Sequence, residues 1–264
     1  MPGSVEVSLS QRVTRVTLRN AGKLNAIDIA MWHELRQVFT DLQAMPADQA
    51  PAVVVICGAD GHFAAGGDIA EFAGFRFDPA RLQHFHEDVV APALHAMLEC
   101  DVPLYAQIDG TCMGGGLEIA ACCDVRICGE GSRFGAPIAK LGFPMAHSEV
   151  ALLRRVFGET TLREMLLEAR LYDAAAAWRC GLVHEVVADD AVAAQVWARC
   201  ERIAGTLSPQ AARLNKRTLR QLAAGDLTPA EREAHFAYAD SCEHREGVTA
   251  FINKRAPRFR SPSL

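Results

Sequence analysis

Three consecutive glycines, Gly114-Gly115-Gly116, stand between an apolar run and a helix-like run, and they restrict the chain more than any other feature. The run before them, Val102-Pro-Leu-Tyr-Ala-Gln-Ile108, reads as a short buried strand. The run after them, Ile119-Ala-Ala-Cys-Cys123, reads as the start of a helix. Glycines here permit a backbone path closed to residues with a Cβ and let another group approach the main chain closely. A helix start adds unpaired N–H groups with a partial positive charge behind them. Such groups suit an anion or a developing oxyanion. Glu118 stands at the edge of this turn, within reach of whatever the N–H groups hold. The plainer alternative is a tight turn followed by a first-turn glutamate favoured by the helix dipole.

A second stretch has the same form. Val53-Val-Val-Ile-Cys57 is apolar and reads as a buried strand, and it leads into Gly58-Ala-Asp-Gly-His-Phe-Ala-Ala-Gly-Gly67-Asp68-Ile69-Ala-Glu71. Asp68 with Glu71 three residues on predicts a capping box opening a helix. Two strand–glycine–helix units suggest two backbone donors converging on one oxygen.

The rest of the chain is globular in character. Its 264 residues suffice for a sizeable core, and half of them are hydrophobic. A net charge of −5 gives no electrostatic case for nucleic acid or an acidic membrane surface. The nine cysteines are scattered without a C-x-x-C pair, which favours free thiols in a reducing cytoplasm over a disulfide framework. Cys112, Cys122 and Cys123 read as small buried residues. No leader-like segment opens the chain and no apolar run approaches about 18 residues, so a cytoplasmic protein without a membrane span is expected.

Val5–Leu9 and Val13–Arg19 alternate in polarity and read as an antiparallel pair. Trp32, Leu35, Phe39 and Leu42 recur at helical spacing, which is core packing. One helix is predicted from Ala80 to Cys100, kinked at Pro92. His84, His86 and His95 lie there, but the close pair is spaced i,i+2 and does not share a helix face, so no metal site is expected. Val125–Cys128, Ser132–Pro137 and Leu182–Val187 read as strands. Helices are expected at Glu149–Phe157, Thr160–Ala169 and Asp173–Cys180. Beyond Ala191 only helices are expected, opened by Asp189-Asp190, Ser208-Pro209 and Thr228-Pro229.

The glycine units carry a resemblance. Phe63-Ala-Ala-Gly-Gly-Asp-Ile-Ala-Glu71 resembles the first signature of the crotonase (enoyl-CoA hydratase/isomerase) superfamily, and Asp109-Gly-Thr-Cys-Met-Gly-Gly-Gly-Leu-Glu-Ile-Ala-Ala-Cys-Cys-Asp-Val-Arg126 resembles its second. Arg133-Phe-Gly-Ala-Pro, Leu141-Gly-Phe-Pro144 and Glu246–Arg255 resemble three more landmarks in the same order. The resemblance implies an α/β fold, a crotonase-like spiral of ββα units with a C-terminal helical trimerisation region. It divides the chain into an acyl-CoA-binding core, 1–203, and a helical oligomerisation region, 204–264, giving a homotrimer or dimer of trimers. The implied partner is an acyl-CoA thioester. No metal and no separate cofactor are implied, since coenzyme A arrives as part of the substrate. By the same resemblance Gly67 and Gly115 supply the two oxyanion donors and Glu118 the general acid/base. Asn25, Ala26, Ala64, Ala65, Gly66, Ile69 and Lys254 match CoA-contacting positions. Asp68 also falls in this stretch, although a helix cap suits it better. The plainer reading of Lys254, Arg255 and Arg258 is a solvated basic tail.

One position departs from the family. The second glutamate that the resemblance calls for in a hydratase falls at Ile138, which cannot exchange a proton. The following segment, Pro144-Met-Ala-His147-Ser148-Glu149, is also unusual. Glu149 or His147 would be displaced replacements, but the preferred reading is Ser148 as a helix cap with Glu149 in the first turn. A hydratase/isomerase acting through Glu118 therefore stands beside a decarboxylase or C–C lyase of the same fold and a non-catalytic acyl-CoA-binding paralogue. The pocket walls are expected from Phe72–Phe85 and Ile138–Ala146, and their apolar character predicts an acyl group without strong charge.

Overall fold

The computed structural model describes residues 2–10 and 12–259. The larger of two sheets has six strands. β1 (Ser4–Ser10) and β2 (Val13–Arg19) pair antiparallel, and β3 (Val53–Gly58) follows in parallel beside β2. β4 (Leu104–Ile108) continues the parallel order. The smaller sheet begins with β5 (Thr111–Met113), and the chain returns to the large sheet at β6 (Val125–Gly129). β7 (Arg133–Gly135) pairs with β5, β8 (Tyr172–Asp173) pairs with β7, and β9 (Glu185–Val187) closes the large sheet beside β6. The chain thus gives one strand to each sheet in turn before a helix, which is the crotonase-like spiral.

β3 shows why its run is continuously apolar. Val54 and Ile56 face the main core, while Val53 and Val55 face a second cluster with Val196, Cys200 and Ile203. A parallel strand covered on both faces has no solvated side to mark with polar residues. The main core includes α1 (Ile29–Ala44), capped by Asp28, whose side chain accepts from Met31 N at 2.8 Å. Its buried stripe is Met31, Trp32, Leu35, Phe39 and Leu42, as the spacing predicts.

The predicted helix from Ala80 to Cys100 is broken in a specific way. α2 (Pro79–His84) runs into a π-helical turn, Phe85–Val90, and then into α3 (Ala91–Glu99). Pro92 has no N–H to donate four residues back. The wide turn lies just before it, where Ala91 N donates to His86 O. α4 (Gly115–Ala121) follows the triple glycine, and α5 (His147–Phe157), α6 (Glu159–Leu167) and α7 (Ala174–Arg179) match the expected helices to within a few residues. The predicted strand Leu182–Val187 is shorter than expected. Leu182 and Val183 are buried in a turn, and the Leu182 carbonyl accepts from Arg126 Nε at 2.6 Å.

α8 (Val192–Thr206) supplies Val196, Cys200 and Ile203 to the second cluster. α9 (Pro209–Ala224), α10 (Pro229–His235) and α11 (Cys242–Ile252) follow, with Ser208 and Thr228 capping α9 and α10 as expected. Arg217 and Arg220 of α9 both bind the buried Asp101 carboxylate. Residues 260–264 of the predicted C-terminal region lie outside the described residues. Among the described residues no helix is long and apolar enough to cross a membrane.

Candidate active site

The two glycine turns are locked together. Ala64 N donates to Thr111 O and Met113 N donates to Ala64 O, both at 2.9 Å. Gly66 and Gly114 have φ of +110° and +46°, in the region that favours glycine. A Cβ on Gly116 would lie 2.7 Å from the Ala64 side chain and carbonyl oxygen, so only glycine lets the turns meet. Gly67 and Gly115 line one cavity of about 240 Å³. Gly115 opens α4, so its N–H has no acceptor within the helix. Neither it nor the Gly67 N–H has an acceptor among the described residues.

Glu118 lies in the first turn of α4 and lines the same cavity. It is buried, with no hydrogen bond to its carboxyl among the described residues. Burial pushes its pKa up to about 8, and the nearby Glu149 charge adds to that shift against the opposing Arg76.

A second carboxylate, Glu149, lines the cavity together with Glu118 and Ile138. α5 begins at His147, so Ser148 lies inside it and caps nothing; its hydroxyl donates to Glu149 Oε2 at 3.0 Å. The expectation for Ser148 is therefore corrected. Glu149 does occupy the first turn, but its side chain faces the cavity and is 1% exposed. Burial opposes its ionisation, yet the His86 contact, Nδ1 to Oε1 at 2.8 Å, holds its pKa below the ordinary value. An ionised carboxylate only accepts, so His86 donates in this bond. His147, the other displaced candidate, is exposed and does not line the cavity.

Ala65, Gly66, Ile69 and Ile138 also line the cavity. Ala64 is buried in the bridge between the turns, and Ala26 lies buried outside the lining. Asn25 is buried at φ +57°, and its side-chain amide donates to the Ala59 and His62 carbonyls at 2.8 Å, bracing the first turn. Asp68 accepts from Ala70 N at 3.1 Å and pairs with Lys23 at 2.5 Å. The predicted capping box is not formed. Asp68 caps a short 3₁₀ turn, Ile69–Gly74, while Glu71 accepts from Ile29 N at 2.9 Å. Lys254 is exposed beyond α11 and is not brought to the cavity.

Trp32 and His86 were not assigned to the site by the sequence, and Arg76 fell inside the expected wall without being singled out. Trp32, read from the sequence as core, also lines the cavity, and its buried indole N–H has no partner among the described residues. His86, considered from the sequence as a metal ligand and set aside as one, contacts Glu149. Arg76 enters an otherwise aromatic wall, with Cζ 4.1 Å from the Phe72 ring centroid and 3.8 Å from that of Phe143. The expectation of apolar walls is corrected at this position. The signal available was one cation among three phenylalanines, Phe72-Ala-Gly-Phe-Arg76-Phe77.

Two glycine N–H groups without acceptors among the described residues thus line one cavity with two buried carboxylates. The enoyl-CoA hydratase/isomerase family model matches residues 8–262. A probable enoyl-CoA hydratase of Rhizobium meliloti is 31% identical over 96% of both chains. The 2,3-dehydroadipyl-CoA hydratase of Escherichia coli is 33% identical over 96% of this chain and 97% of its own. Among solved structures, an enoyl-CoA hydratase/carnithine racemase from Magnetospirillum magneticum superposes with a TM-score of 0.91 at 36% identity, covering 97% of this chain and 94% of that one. The chain belongs to the enoyl-CoA hydratase/isomerase family.

Proposed function

We propose that this protein adds water across the double bond of a 2-enoyl-CoA thioester. The observation that carries the reading is that Glu118 and Glu149 share one cavity with pKa values pushed in opposite directions. Near neutral pH Glu118 is then mainly protonated and Glu149 ionised. Glu149 takes a proton from water as the oxygen bonds to Cβ, while electrons move onto the thioester oxygen. The Gly67 and Gly115 N–H groups hold that oxygen, a contribution of about 3–4 kcal/mol for each donor of this kind. As the enolate collapses, Glu118 gives its proton to Cα. A proton passing from Glu149 to Glu118 restores the starting state. Isomerisation needs only one carboxylate, so the pair favours hydration.

Coenzyme A enters as part of the substrate, and no other cofactor takes part in this scheme. In the same reading residues 1–203 form the catalytic core and 204–264 join copies into a trimer or a dimer of trimers. The exposed Leu219, Phe236 and Phe251 support that role. The free cysteines support a cytoplasmic location. Incubation with crotonyl-CoA, a 3-enoyl-CoA and a malonyl-type CoA in ¹⁸O-water, followed by mass spectrometry, tests the reaction. Gain of one labelled water by crotonyl-CoA is expected; isomer formation alone or loss of CO₂ would overturn hydration.

A further inference from the structure

Arg76 lines the cavity but takes no part in the hydration scheme. It follows the 3₁₀ turn Ile69–Gly74, and its backbone N–H donates to Phe72 O at 2.9 Å. The Phe72 and Phe143 rings, set edge to face with centroids 6.1 Å apart, corner its guanidinium. Phe75 stacks on Phe85 behind it at 4.1 Å. These rings attract the cation but offer no hydrogen-bond acceptor. Nε is buried without a partner, and among the described residues no carboxylate forms an ion pair with the side chain. Burial lowers its pKa, with Glu118 and Glu149 acting in the opposite sense; an arginine nevertheless stays charged at neutral pH. A half-buried cation with unused donors, aimed into an acyl-sized cavity, is unfavourable unless something anionic completes it.

Resting on the reading of this cavity as the acyl site, we infer that the acyl group carries a second carboxylate, which Arg76 binds through its unused N–H donors. The substrate class is the mono-CoA thioester of an unsaturated dicarboxylic acid. Glu118 stays neutral beside such a substrate, and the Glu149 charge is engaged by His86 and Ser148, so the carboxylate meets a favourable field at Arg76.

Saturated thioesters test this without turnover. Succinyl-, glutaryl- and adipyl-CoA, their terminal methyl esters, and hexanoyl-CoA would be titrated calorimetrically into the full-length protein and into Arg76→Met and Arg76→Lys. At least one free acid should bind about tenfold or more tighter than its methyl ester, the worth of a charge-assisted hydrogen bond. Arg76→Met should abolish that difference while leaving hexanoyl-CoA affinity within about threefold, and Arg76→Lys should restore part of it. Unchanged hexanoyl-CoA binding also shows that the variant is folded. Equal binding of acid and ester throughout the series, or equal weakening of all ligands in Arg76→Met, would overturn the inference. A protein that distinguishes acid from ester but hydrates nothing would instead refute the reaction proposed above and leave the acyl preference standing.

Discussion

Replacing Glu149 with glutamine removes a base and a charge while nearly preserving shape. The amide still accepts from His86 but takes up no proton. Loss of a positioned general base lowers kcat by about 10²–10⁴, a barrier increase of about 3–5 kcal/mol. The same change acts on Glu118. Its pKa is raised from 4.5 to about 8, first by burial and then by the Glu149 charge; that shift corresponds to about 5 kcal/mol against ionisation. Without the charge, the Glu118 pKa should fall yet stay above 4.5, since burial remains. The proposed scheme needs Glu118 as the neutral acid, so wild-type activity should be lost on the alkaline side as pH rises through about 8. In Glu149→Gln the residual activity should lose its alkaline limb at lower pH. Loss of the conjugated enoyl thioester absorbance, followed from pH 5 to about 10, reads both quantities. A kcat within about threefold of wild type would refute the base role. An alkaline limb that stays in place would refute the coupling between the carboxyls.

Glu118→Gln should stabilise the fold in alkali. The folded pKa lies above the unfolded one, so the carboxyl costs nothing below about pH 4 and progressively more up to about pH 8, reaching about 5 kcal/mol; denaturant unfolding at both ends of this range measures the difference. Gly116→Ala sets a Cβ 2.7 Å from the Ala64 side chain and carbonyl. It should destabilise by about 1–3 kcal/mol and reduce activity by parting the two turns, as read by unfolding and turnover together.

The elements that carry the spiral were legible because their signals are local. The Val53–Cys57 run, the paired glycine turns, the α1 stripe and the Ser208 and Thr228 caps each depend on neighbours in sequence. The Glu118 position was legible for the same reason, since the helix that bears it begins at the triple glycine. Glu149 stood there only as the less favoured of two readings, because its partner His86 lies 63 residues away on a π-helical turn. In isolation a first-turn glutamate after a serine satisfies ordinary helix-end chemistry, and only the packing of α5 beside α4 turns it into the cavity. Arg76 lay within the expected wall, but Phe72–Pro79 has no periodicity from which its side chain's direction follows. Likewise Asp68 and Glu71 have capping-box spacing, but Glu71 is drawn to the open N–H of Ile29 across the chain. Tertiary partners decided the outcome for Glu149 and Glu71.

Whether Glu118 and Glu149 act as a pair is measured most directly by kcat for Glu118→Gln, Glu149→Gln and the double variant on one enoyl-CoA substrate. Groups that act as a unit are not additive. The double variant should therefore be no more than about threefold slower than the slower single variant. Losses that multiply, or a Glu149→Gln variant as fast as wild type, would contradict the shared role and leave Glu118 to act alone.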